Sequence, residues 1–322
     1  MEKVRWGVLG TAGIARDQTI PGMQLAENCV LYAVAGRNPE KAEAFRRDFG
    51  FEKSYGNYDA LLADPGVEAV YIPLSNDLHC EWTIRALRAG KHVLCEKPLA
   101  VSRDQAQSMF RAAAENGVYL MEAFAYLHSP IVRAIRSEID VGMIGEIRYL
   151  ESAFITSCRP DTDFRLKKEC GGGAMYDLGC YALSMALWMI GRAPENVKAI
   201  ARFSDRKIDL FTSALLLYDD GTVANLDCGM LSDLNRLDRL HISGTRGEIV
   251  SPVAFNQMGE IPYTLIRDGK AETKVVSCPN NYRLEVEQLG RCVRGEAVPH
   301  VSEEFSLLTA GMTDRILKEI GY

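Results

Sequence analysis

The chain has 322 residues, 47% of them hydrophobic and 25% charged, and its formal net charge at pH 7 is −6. This composition is typical of a globular protein, and the length favours two domains. Because the acidic balance offers no basic field for a polyanion, we expect no nucleic-acid partner and favour small-molecule chemistry.

The first part of the chain alternates apolar runs with amphipathic stretches. The stretches PEKAEAFRRDFG and HCEWTIRALRAG have helical spacing and end at Gly50 and Gly90, which are typical helix stop signals. The predicted strands are VRWGVLG, VLYAVAG, VEAVYIPL, KHVLCEK and VYLMEAF. Buried strands joined by helices predict a doubly wound parallel sheet, so we expect an N-terminal Rossmann domain over residues 1–122.

A glycine-containing turn, GTAGIAR, follows the first predicted strand. A strand, a tight turn and a helix N-terminus form a cradle for a diphosphate, because free backbone N–H groups and the helix dipole favour negative charge. Ala12 stands where the G-x-G-x-x-G/A pattern has its middle glycine, and the alternative is a turn without a ligand. The predicted cofactor-binding residues of this turn are Gly10, Thr11, Ala12, Gly13 and Ile14.

The end of the second predicted strand indicates which dinucleotide is bound. An NAD site usually has an acidic residue there, whereas this chain has Arg37, with Lys41 one helical turn later. A cation at this position can meet a 2′-phosphate, so we predict NADP as the preferred cofactor. NAD remains the alternative, since Arg37 could instead stack on the adenine or be solvated.

The rest of the chain, residues 123–322, is predicted to be an α+β domain with a mostly antiparallel open sheet. Asp-Gly pairs at 220–221 and 268–269 favour hairpins. One predicted helix runs from about 174 to 190 and stops at Gly191, and another closes the chain from about 303. These helices are too few to cover both faces of the sheet, so we expect a homodimer or higher homo-oligomer through its open face.

The nine cysteines are scattered without a CxxC pair or a zinc-ligand pattern, so we expect reduced thiols and no metal site. The N-terminus enters an apolar strand at once, without the apolar core of a signal peptide, and no run is long enough to span a membrane. We therefore expect a cytoplasmic location and no membrane partner.

Three segments together identify a family resemblance: GTAGIAR, then YIPLSNDLHCEWTIRALRAGKHVLCEKPLA, then GGGAMYDLGCY. Over essentially its whole length the chain resembles the Gfo/Idh/MocA family of pyridine-nucleotide oxidoreductases. The third segment ends in Tyr, and in this it resembles the branch of the family that contains glucose-fructose oxidoreductase, dimeric dihydrodiol dehydrogenase and NADP-dependent xylose dehydrogenases. Inositol-dehydrogenase-type members usually have His there.

The resemblance implies roles for the residues after the fourth and fifth strands. Glu96 would hydrogen-bond the nicotinamide ribose, and Lys97 would bind cofactor and reach the reacting carbonyl or alcohol. Pro98 would follow a cis Lys-Pro bond. Asn76 and His79 would line the path of the cofactor.

The resemblance also implies that Tyr181 is the proton donor and acceptor and that Asp177 orients the substrate hydroxyls. A free phenol has a pKa near 10, and an ammonium within hydrogen-bonding reach lowers this pKa. We therefore expect Lys97 to lower the pKa of Tyr181. Arg165 is a candidate substrate clamp. The structural alternatives are that Asp177 complements the helix dipole, that Tyr181 is a core residue and that Lys97 is paired with Glu96.

The leading prediction is an NAD(P)-dependent oxidoreductase acting on the CH–OH group of a sugar, polyol or related hydroxy/keto compound. One alternative keeps the fold but uses an inositol-type substrate with NAD, and Tyr181 in place of His argues against it. The other alternative is a sensor that binds the dinucleotide without turnover. Retention of Lys97, Asp177 and Tyr181 argues against a sensor, which needs no proton relay.

Overall fold

The computed structural model describes residues 2–157, 160–231, 236–252 and 255–322. The strands are β1 Val4–Leu9, β2 Cys29–Ala35, β3 Lys53–Tyr55, β4 Ala69–Ile72, β5 His92–Glu96, β6 Leu120–Ala123, β7 Ile147–Thr156, β8 Asn196–Phe203, β9 Asp209–Leu217, β10 Val223–Met230, β11 Leu237–Gly244, β12 Gly247–Ser251, β13 Gly259–Arg267 and β14 Lys270–Cys278. The α-helices are α1 Ile20–Leu25, α2 Pro39–Phe49, α3 Tyr58–Leu62, α4 Asn76–Arg88, α5 Arg103–Asn116, α6 Pro130–Asp140, α7 Cys180–Ile190, α8 Asn281–Val293 and α9 Glu303–Ile320. Shorter helical turns cover Ala15–Thr19, Ala125–His128, Phe164–Leu166, Lys168–Cys170 and Met175–Gly179.

The chain divides into two compact units. The first contains Met1–His128 and Asn280–Leu307, and the second contains Ser129–Pro279 and Leu308–Tyr322. The segment that includes α8 therefore groups with the N-terminal part of the chain, although it follows the second sheet in sequence. The domain boundary expected at residues 122/123 stays a prediction.

The first unit has a six-stranded sheet in the order β3-β2-β1-β4-β5-β6, and all its strands are parallel. β4 is buried along its whole length, and β1 is buried except at one residue. Such strands need helices on both faces of the sheet. This architecture confirms the predicted doubly wound Rossmann domain.

Side-chain caps and left-handed glycines bound the helices of this unit. The Asn38 side chain accepts a hydrogen bond from the backbone N–H of Lys41 at the start of α2. Gly50 ends α2 with a φ of +80°, and Gly90 follows α4 with a φ of +74°. Both glycines stop their helices as predicted, because glycine enters the left-handed region without the steric cost of a side chain.

The second unit has an eight-stranded sheet in the order β14-β13-β12-β11-β7-β10-β9-β8. The strand pairs are antiparallel except β7 with β10, which are parallel. Turns at the two Asp-Gly pairs join β9 to β10 and β13 to β14, and both Asp268 and Gly269 have positive φ. The predicted α+β fold with a mostly antiparallel sheet is confirmed.

One face of this sheet packs against α7, and the opposite face carries exposed apolar side chains. The covered face includes Leu150, Leu216 and Leu240, all fully buried. Ile200 and Val275 point to the opposite face and are 74% and 57% exposed. We call this opposite face the open face; it comprises the odd-numbered positions of β7, β10, β11 and β14, the odd-numbered positions of β9 from 211 onward, and the even-numbered positions of β8 and β12.

Two further features concern the chain as a whole. The eight cysteines within the described residues are free, and Cys158 lies outside these residues. Among the same residues, no helix is long and apolar enough to cross a membrane.

Candidate active site

The predicted phosphate turn lies between β1 and a helical segment that begins at Gly13. Gly10 has a φ of +124°, and its N–H donates to the Ala35 carbonyl at 2.8 Å, which ties the turn to β2. A Cβ added at Gly13 would meet one atom, a carboxylate oxygen of Asp17, at 3.8 Å. Space therefore remains in front of the helix start, and this cradle fits a dinucleotide diphosphate. The other turn residues are half-buried: Thr11, Ala12 and Ile14.

Arg37 lies at the carboxyl end of β2, next to this turn. A Cβ at the preceding Gly36 would be 3.4 Å from the Thr11 methyl group. The guanidinium of Arg37 faces the Tyr58 hydroxyl, whose pKa is raised by burial and lowered in part by Arg37. Arg37 and Lys41 are both exposed, so their cations are available to an anionic ligand.

Glu96 ends β5 and is part of a buried hydrogen-bonded chain. Thr19 donates to the Tyr71 hydroxyl at 2.8 Å, and Tyr71 donates to Glu96 Oε1 at 2.6 Å. The backbone N–H of Lys97 donates to Glu96 Oε2 at 3.3 Å. The Lys97–Pro98 bond is cis, as the resemblance implied. The carboxylate orientation of Glu96 is thus set by residues from β4 and from the segment before α1.

His79 joins the loop after β4 to the segment after Lys97. Its Nδ1 lies 2.9 Å from the Pro98 carbonyl oxygen, and its Nε2 lies 3.0 Å from that of Leu74. Burial lowers the pKa of the imidazole, so the neutral ring donates to one of the two carbonyls. Asn76, at the start of α4, is 5% exposed. Direct contacts of Asn76 and His79 with a cofactor stay predictions.

Sequence reasoning missed a buried carboxyl group on β6, that of Glu122. This residue is 2% exposed, and its Oε1 accepts a hydrogen bond from the backbone N–H of Leu99 at 2.9 Å. Burial raises the pKa of Glu122 to about 7, although Ser306, the Leu99 N–H and the Lys97 ammonium act in the opposite direction. The available signal was an acidic residue inside the apolar run VYLMEAF.

A second missed carboxyl group belongs to Glu285 on α8. It is fully buried, and neither of its oxygens hydrogen-bonds another described residue. Burial, and after it the nearby Glu96 carboxylate, raise its pKa well above the usual range, so folding favours the protonated form of the group. No motif could have indicated it, because its burial depends on packing between segments far apart in sequence.

In the second unit, the triple glycine leads into the helix that carries Asp177 and Tyr181. A Cβ at Gly172 would lie 2.5 Å from the Arg165 carbonyl oxygen, so a larger residue would clash with backbone. The Gly173 N–H donates to the same carbonyl at 2.8 Å. After this turn, Met175–Gly179 form a π-helical turn that continues directly into α7.

Asp177 is bound to the predicted clamp residue. Its Oδ1 lies 2.8 Å from Arg165 Nε, and the same guanidinium lies 3.3 Å from Asp163. The Asp163 carboxylate also accepts from the backbone N–H of Arg165 at 2.9 Å. The two carboxylates raise the pKa of Arg165, so Arg165 holds Asp177 as a fixed cation.

Tyr181 lies one turn after Asp177, and 8% of it is exposed. Its ring packs edge-on against Phe154 and Phe255, with centroid distances of 5.3 and 5.4 Å. Its hydroxyl accepts a hydrogen bond from the Asn256 side chain at 3.3 Å. The aromatic contacts fix the direction of the ring, while the hydroxyl has a polar neighbour.

The predicted site residues therefore form two groups, one in each unit. The first group contains the glycine turn, Arg37, Lys41, Asn76, His79, Glu96 and Lys97. The second contains Arg165, Asp177 and Tyr181. The first has the features of a nucleotide cradle, and the second provides a carboxylate and a phenol four residues apart.

Comparison with known proteins identifies the family of each part. Residues 4–124 match the model of an oxidoreductase family with an NAD-binding Rossmann fold. Residues 132–250 match the GFO/IDH/MocA C-terminal domain.

Relatives of known name are similar over almost the whole chain. D-xylose 1-dehydrogenase (NADP(+)) 2 of Haloferax volcanii is 34% identical, covering 97% of this chain and 95% of its own. Trans-1,2-dihydrobenzene-1,2-diol dehydrogenase of Xenopus laevis is 30% identical, covering 98% of both chains. The crystal structure of a 3-ketoreductase from Actinomadura kijaniata with NADP and TDP-benzene has a TM-score of 0.93 and 34% identity, covering 99% of this chain and 98% of that one. The chain thus belongs to the GFO/IDH/MocA family and is an NAD(P)-dependent oxidoreductase.

Proposed function

We propose that this enzyme interconverts a hydroxyl and a carbonyl group on a sugar, polyol or related compound, with Tyr181 as the acid/base. The observation that carries the proposal is the placement of Asp177 and Tyr181 one turn apart on a single helix, each held by its own contacts. The names of the relatives support this substrate class, since they include a xylose dehydrogenase and a 3-ketoreductase.

NADP is the proposed cofactor. The exposed Arg37 at the end of β2 suits a 2′-phosphate, because guanidinium and phosphate form strong charge-assisted hydrogen bonds. The Actinomadura kijaniata relative was crystallised with NADP. Further proposed cofactor contacts are the glycine turn, Lys41, Asn76, His79, Lys97 and the ribose-binding carboxylate of Glu96.

The bound nicotinamide supplies or accepts the hydride. Tyr181 gives a proton to the carbonyl oxygen during reduction and takes it from the hydroxyl during oxidation. The Lys97 ammonium lowers the pKa of the Tyr181 phenol and reaches the reacting carbonyl or hydroxyl oxygen of the substrate. Asp177 accepts hydrogen bonds from neighbouring substrate hydroxyls. Arg165 contributes to substrate binding by holding the Asp177 carboxylate in its orientation.

The test combines Tyr181→Phe with a substrate screen. The panel contains D-xylose, other aldoses, polyols, inositols, diketones and a dTDP-linked keto sugar, with oxidation or reduction followed at the nicotinamide absorbance band. We expect turnover of a sugar or keto sugar by the wild type and a loss of about 100-fold or more in kcat for Tyr181→Phe, with NADPH binding retained. Tyr149→Phe, on the open face, is the matched control.

Two results would contradict the proposal. Undiminished turnover by Tyr181→Phe would remove Tyr181 as the acid/base. Turnover limited to inositols with NAD would instead favour the inositol-type alternative, which the Tyr at position 181 argues against.

We also propose a homodimer that buries the open face of the second sheet. This face combines exposed apolar side chains with polar side chains that are paired among themselves, including the ion pair of Arg239 with Glu151 and the hydrogen bond between His241 and Glu248. Burying it would remove apolar area from water while desolvating ion pairs rather than isolated charges.

A further inference from the structure

Asp209, at the start of β9, has a carboxyl group buried beside the helix that carries Asp177 and Tyr181. The residue is 0% exposed, and its Oδ2 accepts from the backbone N–H of Met175 at 2.8 Å and from the Thr212 hydroxyl at 2.9 Å. Burial raises the pKa of Asp209 to about 6, and the two donors partly offset this cost. A carboxyl group buried at such a cost points to a specific structural use.

The other oxygen of this carboxyl group lies against the triple glycine. A Cβ at Gly173 would be 2.0 Å from Asp209 Oδ1, and Gly173 has a φ of +114°. The neighbouring Gly172 carbonyl accepts a hydrogen bond from the Tyr322 hydroxyl at 2.7 Å. The glycines thus let the backbone turn and also let the Asp209 carboxyl group touch it.

The first N–H groups of a helix lack partners within the helix, and a carboxylate there satisfies them and complements the helix dipole. The helical run begins at Ala174 and continues to Ile190, and the N–H of Met175, its second residue, is a group that Asp209 binds. Because Asp209 belongs to β9, it connects the start of the helix to the sheet, whereas a residue of the preceding turn would not.

We propose that Asp209 is a positioning residue, which fixes the start of this helix and thereby the direction of Asp177 and Tyr181. The inference rests on the proposed function of these two residues. Asp209 acts through the helix backbone and not by contact with substrate, so its loss should reduce kcat more than it changes cofactor binding.

The principal test compares Asp209→Ala with wild type by amide hydrogen exchange and steady-state kinetics. We expect exchange over residues 173–181 about tenfold faster or more, and kcat about 10- to 100-fold lower, with the NADPH dissociation constant unchanged. Asp227→Ala on the adjacent β10 is the matched control. Asp209→Asn keeps an acceptor for the Met175 N–H, so we expect it to restore most of kcat.

Thr212→Val is a milder second variant, which keeps the side-chain shape and removes one donor to Asp209. We expect about two- to tenfold lower kcat and faster exchange in the same segment. This variant decides the question if Asp209→Ala does not fold.

Unchanged exchange in both variants would overturn the inference, as would a loss of kcat no greater than that of Asp227→Ala. In a Tyr181→Phe background, Asp209→Ala should lower kcat by a smaller factor than in the wild type, because the contribution made through Tyr181 is already lost and only that made through Asp177 remains. If Tyr181→Phe keeps full activity, the proposed function fails on that result alone, while the exchange data still decide whether Asp209 fastens the helix.

Discussion

A substitution at Arg37 should affect the binding of NADPH and NADH differently. In Arg37→Ala we expect NADPH to bind about 10- to 100-fold more weakly, because charge-assisted hydrogen bonds to the 2′-phosphate would be lost. NADH lacks this phosphate, so its affinity should change little. Fluorescence titration of both cofactors measures the effect, and Arg47→Ala, an exposed cation on α2, is the control. Equal weakening of both cofactors would favour adenine stacking instead.

Glu122 makes stability depend on pH. Its pKa rises from 4.5 in the unfolded chain to about 7 in the folded one, so folding favours the protonated form. This contribution to stability is fully present below pH 4.5 and is lost as pH rises through about 7. Between about pH 5 and pH 8 we expect the wild type to lose on the order of 2–3 kcal/mol of unfolding free energy that Glu122→Gln does not lose.

Denaturant unfolding at several pH values tests this expectation. Glu122→Gln keeps an acceptor for the Leu99 N–H, so the comparison isolates the titration from the hydrogen bond. Glu27→Gln is the matched control, since the Glu27 side chain is 88% exposed. If the free energy of unfolding changed with pH in the same way for wild type and Glu122→Gln, the raised pKa of Glu122 would be contradicted.

At the scale of elements, Gly179 lets the site helix approach the sheet. A Cβ at this position would lie 2.5 Å from Met175 Sδ and 3.0 Å from Cys228 Sγ on β10. We expect Gly179→Ala to cost about 1–3 kcal/mol of unfolding free energy and to lower kcat, because Tyr181 lies two residues further along. Thermal unfolding and kinetics measure both effects.

A double-mutant cycle identifies the cause. If the clash with Met175 is responsible, Gly179→Ala should cost less stability in a Met175→Ala background than in the wild type. An unchanged cost would mean that the glycine is required for another reason.

Elements with strong local signals could be predicted from sequence, and those that depend on packing could not. The Asp-Gly turns and the glycine that ends α7 lie where predicted, because the backbone conformation there depends on the local residues and not on packing. β3 is three residues long and β12 is five, too short for a clear alternating pattern. Asp209 escaped prediction because its partner, Met175, is 34 residues away in sequence.

At the scale of the whole molecule, the open face makes a prediction about assembly. Ile200 and Leu215 are 74% and 42% exposed there, and a sheet face with such residues is suited to a second copy of itself. We expect light scattering to give a mass of about twice the 35.7 kDa chain for the wild type.

The double variant Ile200→Glu with Leu215→Glu should be monomeric, because like charges would face each other across a two-fold interface. Val298→Glu is the matched control, since Val298 is 77% exposed but belongs to the first unit. A monomeric wild type would show the expected homodimer to be wrong. A double variant that stays dimeric would instead place the interface on another surface, and the paired charges of the open face would then be ordinary solvent-facing pairs of small energetic value.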